Sequence, residues 1–182
     1  MKVFLTGATG YIGSAVTERL RAAGHEVSAL ARSDASAGKL AATGIPAGFV
    51  ESAQKEGAAR YVGTGENRWP FVHVDDLAEL YLLALENAPP GTLLLGVSGP
   101  AFRVAEVAAA ASRGAGAGGK TTGWPLEQAR AKLGPSADAL VLDQQASGKK
   151  AETLLGWRPS RPNVLDDLEH GSYVPAERST RR

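Results

Sequence analysis

A glycine-paced turn near the start of the chain, Gly7-Ala8-Thr9-Gly10-Tyr11-Ile12-Gly13, constrains the fold more than any other segment. It joins an apolar run, Val3-Phe4-Leu5, to an amphipathic stretch, Ser14 to Ala23. A buried strand that turns on glycine into a helix builds a phosphate site from main chain alone. Glycine lets the backbone approach a pyrophosphate, and the helix start supplies unpaired N–H groups and the positive end of a dipole. The glycines stand at 7, 10 and 13, a wider first gap than in the usual dinucleotide fingerprint, and the strand–turn–helix context is the one that fingerprint requires. The other reading is a tight strand-to-helix turn that holds no ligand.

The segments that follow extend the same unit. Ile12, Val16, Leu20 and Ala23 share one helical face, Gly24-His25 ends the helix, and Glu26 to Ala31 reads as a second strand. This is a strand–helix–strand unit of the size a right-handed crossover needs. In folds of this kind an acidic residue at the end of the second strand binds the ribose 2′-hydroxyl of NAD. Arg32 stands there, followed by Ser33, and a guanidinium suits a 2′-phosphate through charge and fork geometry. NADP(H) is therefore the favoured cofactor, with NAD the alternative. An exposed arginine that merely ends a strand is the plainer explanation.

Beyond Ala42 the alternation breaks. After a short Ala-rich helix, Ser33 to Ala42, the chain gives another helix, Phe49 to Lys55, and short strands at Tyr61-Val62 and Phe71 to Val74. A strong helix follows, N-capped at Asp75 and buried through Leu77, Leu80, Tyr81 and Ala84. Further segments read as a strand at Thr92–Leu95 and helices at Val104–Ala111, Leu126–Leu133, Asp143–Leu155 and Val164–His170. Trp124 and Trp157, each near a proline, read as packing residues, and the polar tail 176–182 reads as disordered.

These stretches resemble a known family. "KVFLTGATGYIGSAV" followed by "ALARS", then "YVGTGENRWPFVHVDDLAELYLLALE" and "LLGWRPSRPNVLDDLEHGSY", are similar to the extended and atypical short-chain dehydrogenase/reductases, the NAD-dependent epimerase/dehydratase-like group. The resemblance implies an α/β fold, here an incomplete Rossmann-like, doubly wound parallel sheet with remnants of a small C-terminal substrate lobe. It implies residues 1–44 as a partial dinucleotide-binding unit, 45–175 as substrate-lobe and C-terminal segments, and 176–182 as a tail. The cofactor contacts it implies are Gly7, Thr9, Gly10, Tyr11, Ile12, Gly13, Arg32 and Ser33, and Arg68 would meet an anionic group of an unidentified small-molecule substrate.

The family's catalytic tyrosine, paired with a lysine four residues on, has no counterpart. Four positions after Tyr11, Tyr61, Tyr81 and Tyr173 stand Ala15, Gly65, Leu85 and Glu177. The sequence passes near Gly44 from the family's first βαβα to a segment that members reach only after their catalytic region. Three functions stay open: an NAD(P)-dependent oxidoreductase or epimerase, a non-catalytic dinucleotide-binding regulator, and a gene remnant whose open sheet edges would pair into a homodimer.

A rival motif is present. Gly114 to Thr121 matches a Walker A loop around Lys120, and Ala139 to Asp143 looks like a Walker B strand. An Ala-rich helix precedes that loop, whereas a P-loop must follow a strand and open a helix, so the glycines read as a connection. His73, Asp75 and Asp76 read as a strand end and helix cap rather than a metal or acid/base set. A net charge of +1 gives no electrostatic case for nucleic acid or anionic membrane, and zero cysteines exclude thiolate chemistry. The apolar runs are too short to span a bilayer and the N-terminus lacks a signal-peptide core, so a cytoplasmic protein is expected.

Overall fold

The computed structural model describes residues 1–30 and 45–174. Its elements are β1 (Lys2–Thr6), α1 (Tyr11–Ala22), β2 (Glu26–Leu30), α2 (Ile45–Glu56), β3 (Ala59–Val62), β4 (Arg68–Phe71) and α3 (Val74–Asn87). The chain continues through β5 (Ser98–Arg103), α4 (Val104–Gly114), β6 (Thr121–Trp124), α5 (Leu126–Leu133), α6 (Ser136–Ala139), α7 (Lys149–Leu155) and α8 (Val164–His170). The helix expected at Ser33–Ala42 and the tail 176–182 lie outside the described residues. No described helix is long and apolar enough to cross a membrane.

Two compact units interleave along the sequence. The first comprises Met1–Thr43, Val72–Ser98 and Ser147–Arg161. Within it β1 and β2 pair in parallel, from Lys2 opposite Glu26 to Thr6 opposite Leu30. Val3, Leu5 and Val27 point into one cluster with Val16 and Leu20 of α1 and with Ala78 and Leu82 of α3. Arg19 of α1 pairs with Glu79 of α3, and His25 Nε2 lies 2.9 Å from Glu86 Oε1. A second cluster joins Leu80, Ala151 and Trp157, with Leu77, Leu83 and Leu94 packed around it.

The second unit comprises Gly44–Phe71, Gly99–Ala146 and Pro162–Arg182. Here β3 pairs in parallel with β6, Ala59 opposite Thr121 and Val62 opposite Trp124, and β4 pairs with β5. At the centre is α4, whose Val104, Val107, Ala108, Ala110 and Ala111 are all buried. Its small residues permit close approach: a Cβ at Gly114 would lie 1.9 Å from the carbonyl oxygen of Leu168 in α8. Arg113 Nε, at the end of α4, reaches Glu169 Oε1 at 2.9 Å and holds that carboxyl below its usual range. Ser112 of α4 is fully buried and its Oγ has no hydrogen-bond partner among the described residues. Burial of a hydroxyl without a partner costs free energy that alanine avoids, so Ser112→Ala is expected to stabilise the protein by about 1 kcal/mol. A urea midpoint at or below that of the parent chain would contradict this.

Several local expectations need correction. Among the described residues β1 is covered on the side of Val3 and Leu5, and strand alternation sends Phe4, 68% exposed, to the other. Ile12 is likewise exposed, one turn short of the buried face that begins at Val16. In α3 the buried positions are Asp76, Ala78, Leu80 and Leu82, whereas Tyr81 is exposed. Apolar clusters flank this helix on two sides and shift its buried arc away from a single stripe. Thr92–Leu95 is not a strand, and no described strand pairs with it. The strand lies at Ser98–Arg103. β4 begins at Arg68 and ends at Phe71, and of the Asp143–Leu155 stretch only Lys149–Leu155 is helical.

Candidate phosphate-binding loop

The turn after β1 is closed by a hydrogen bond from Gly10 N–H to Gly7 O at 2.9 Å. Gly7 has φ of +75°, which L side chains rarely adopt. Gly13 is required for a different reason. A Cβ there would lie 2.0 Å from Gly7 O, so the first turn of α1 rests directly against the loop. Gly10 is the N-cap of α1, with extended backbone, and no side chain caps the helix. Ser14 N–H donates to Gly10 O at 2.8 Å, which begins the helical ladder.

The charge pattern at this helix start differs from that of most described helices, although α2 also lacks a first-turn acid. α3, α4, α5 and α8 each carry an acidic residue in the first turn, and His73 and Asn163 supply side-chain caps to α3 and α8. α1 has neither a side-chain cap nor an acidic residue in its first turn. No acidic side chain of its own first turn offsets its partial positive charge, as suits an anion site. Thr9 is half-buried beside this turn, and Tyr11 and Ile12 form its exposed rim. Gly7, Thr9, Gly10, Tyr11, Ile12 and Gly13 are thus gathered around one helix N-terminus. Arg32 and Ser33 lie outside the described residues.

Arg68 belongs to the second unit. Its main chain is fixed on both sides: its N–H donates to Asp143 Oδ1 at 2.6 Å, and its carbonyl accepts Gln144 N–H at 2.7 Å. The Arg68 N–H, with Gln145 Nε2, holds the Asp143 carboxyl below its usual range. The aspartate of the Walker B look-alike is therefore spent on main chain. The Walker A look-alike has the wrong order of elements, since it leaves α4 and enters β6. A P-loop runs from strand to helix, and only that order points a row of N–H groups at phosphate.

The first-turn acids of α3 are structural as well. The cap is His73, whose Nδ1 accepts Asp75 N–H at 3.2 Å, and not Asp75. Asp75 pairs with Arg161 at 3.2 Å. Asp76 is buried and accepts the N–H groups of Ser160 and Arg161, each at 3.1 Å, while its carbonyl accepts Trp157 Nε1 at 2.9 Å. The start of α3 thus grips the Gly-Trp-Arg-Pro-Ser-Arg turn. The sequence marks Trp157 as a packing residue but places the cap at Asp75 instead of His73, and the Asp76 carboxylate that joins the two segments has no local signal.

A parallel strand that turns on three glycines into an uncapped helix defines the phosphate-binding portion of a Rossmann-like α/β protein. The chain belongs to the NAD dependent epimerase/dehydratase family, whose model matches residues 3–44 and 35–96. Among curated relatives, an uncharacterized protein of Schizosaccharomyces pombe is 29% identical over 130 residues, 69% of this chain and 42% of the relative. An uncharacterized protein of Saccharomyces cerevisiae is 62% identical over 40 residues, 22% of this chain and 13% of the relative. A UDP-glucose 4-epimerase of Halalkalibacterium halodurans is 32% identical over 104 residues, 55% of this chain and 28% of that enzyme. This chain therefore spans less than half the length of each. Among solved structures, the human epimerase family protein SDR39U1 (isoform 2), determined with NADPH, superposes with a TM-score of 0.62 at 17% identity, over 93% of this chain and 98% of that one. RMD of Pseudomonas aeruginosa, complexed with NADPH, gives 0.51 at 15% identity, over 86% and 49%. At such identities the likeness is one of fold.

Proposed function

We propose that this chain binds a nicotinamide dinucleotide at the Gly7–Gly13 loop, with NADP(H) preferred over NAD(H). The observation that carries the reading is the uncapped N-terminus of α1, packed through Gly13 onto the turn at Gly7. Family membership and two structural neighbours solved with NADPH support it. Main-chain N–H groups of the loop would take the pyrophosphate, and Arg32 with Ser33 would take the 2′-phosphate. Arg68 would meet an anionic group of a substrate. The bound cofactor would supply hydride chemistry. Because no tyrosine in the chain is followed by lysine four residues on, hydride transfer by the family's residue pair is not part of this reading. Binding without family-type turnover, as in a dinucleotide-responsive module, is the form we favour.

Calorimetric titration of NADPH and NADH into the purified chain tests it. NADPH is expected to bind at micromolar concentration and NADH at least tenfold more weakly. Gly10→Val, whose side chain would crowd Gly7 O and the approach to the helix start, should abolish the heat. No heat with either cofactor would end the proposal, and tighter binding of NADH would end the role given to Arg32.

A further inference from the structure

The second unit holds a cavity of about 310 Å³ that the dinucleotide reading leaves unused. It lies where the two apolar clusters of that unit meet, with Leu140 packed against both. Its walls are aromatic. Phe49 and Trp69 stack with ring centroids 6.4 Å apart and an interplanar angle of 10°, and Tyr61 and Trp124 complete the lining. Leu133, partly exposed, and Gly48, on the outer side of α2, also line it.

Two polar side chains of the lining, Arg60 and Ser52, are already engaged. Arg60 of β3 has its guanidinium 5.5 Å from the Trp124 ring centroid and pairs with Glu56 at the end of α2. Ser52 Oγ donates to Phe49 O and accepts Arg60 N–H, both at 3.0 Å. The cavity thus presents flat apolar faces and no uncompensated charge. A charged ligand would lose its hydration without gaining a free counter-charge, whereas an aromatic ring would gain stacking and area burial. Size narrows the class further. A dry apolar cavity of about 150 Å³ accepts benzene, so roughly twice that volume suits two fused rings.

From this the geometry points to a binding site in the second unit for an uncharged, planar, two-ring aromatic molecule, held between the Phe49–Trp69 stack and Trp124. The site needs nothing from the glycine loop, so its test is independent of NADPH binding.

The three tryptophans make the experiment specific, because Trp69 and Trp124 line the cavity and Trp157 is buried in the other unit. The full chain is titrated with 2-naphthol, and the indole N–H signals are followed by ¹⁵N-resolved NMR. The expected result is a saturable shift of the Trp69 and Trp124 signals with Trp157 unmoved, and binding of 2-naphthalenesulfonate at least tenfold weaker. A Cβ at Gly48 meets nothing within 4 Å, so Gly48→Leu is expected to fold and to weaken 2-naphthol at least tenfold. Absence of saturation, equal shifts of all three signals, or sulfonate binding as tight as naphthol would each overturn the assignment. Unchanged affinity in a folded Gly48→Leu chain would also overturn it, and if that variant does not fold, the naphthol and sulfonate titrations of the parent chain decide alone.

Discussion

Gly13→Ala is expected to destabilise the first unit by about 3 kcal/mol and to abolish NADPH binding, although it adds a single methyl group. That methyl would sit 2.0 Å from Gly7 O and 2.8 Å from Gly7 C, so either the loop or the first turn of α1 must move. Movement there displaces the N–H groups that would face the pyrophosphate. Gly7→Ala is the informative partner. A Cβ at Gly7 meets nothing within 4 Å, so its penalty is confined to holding a φ of +75°, about 1–2 kcal/mol. Urea titrations read through the Trp157 indole N–H report on the first unit, to which all three residues belong. If Gly13→Ala proved no more costly than Gly7→Ala, the close contact between α1 and the loop would not be the reason for glycine at 13.

Asp76→Ala is expected to cost about 2 kcal/mol, because it removes a buried carboxylate that accepts two main-chain N–H groups. The orphaned donors are those of Ser160 and Arg161. The Trp157 indole keeps its partner, since that bond is to the main-chain carbonyl of residue 76. The same urea titration should therefore show a lowered midpoint with a Trp157 signal that is native in position before unfolding. Asp75→Ala serves as the contrast: it loses a solvent-exposed ion pair with Arg161 and is expected to change stability by under about 1 kcal/mol. An unchanged midpoint for Asp76→Ala would return that residue to the list of candidate acid/base groups.

Much of the loop was legible from spacing alone. Apolar residues before glycine and helical periodicity after it placed β1 and α1 within a few residues, and α5 and α8 fell where periodicity set them. These elements rest on contacts within one turn or one strand. The misplaced elements fail for one physical reason. A strand exists only if a second strand pairs with it, and 92–95 have none among the described residues, while the glycine-proline pair in β5 is tolerated because β4 lies alongside. Burial on α3 was misjudged at Tyr81 because two clusters, one from α1 and one around Trp157, decide which arc faces inward.

By itself the sequence determined the opening strand–turn–helix–strand unit, the family, and the lack of a Tyr-x-x-x-Lys pair, since each depends only on residues near one another in the chain. Tertiary structure alone decided that 72–98 and 147–161 pack with the N-terminal unit, that Asp76 is a clasp on the turn after Trp157, and that Asp143 serves the backbone of Arg68. These are pairings across some 75 to 85 residues of chain, fixed by which buried donors need an acceptor, and a local pattern carries no record of that need.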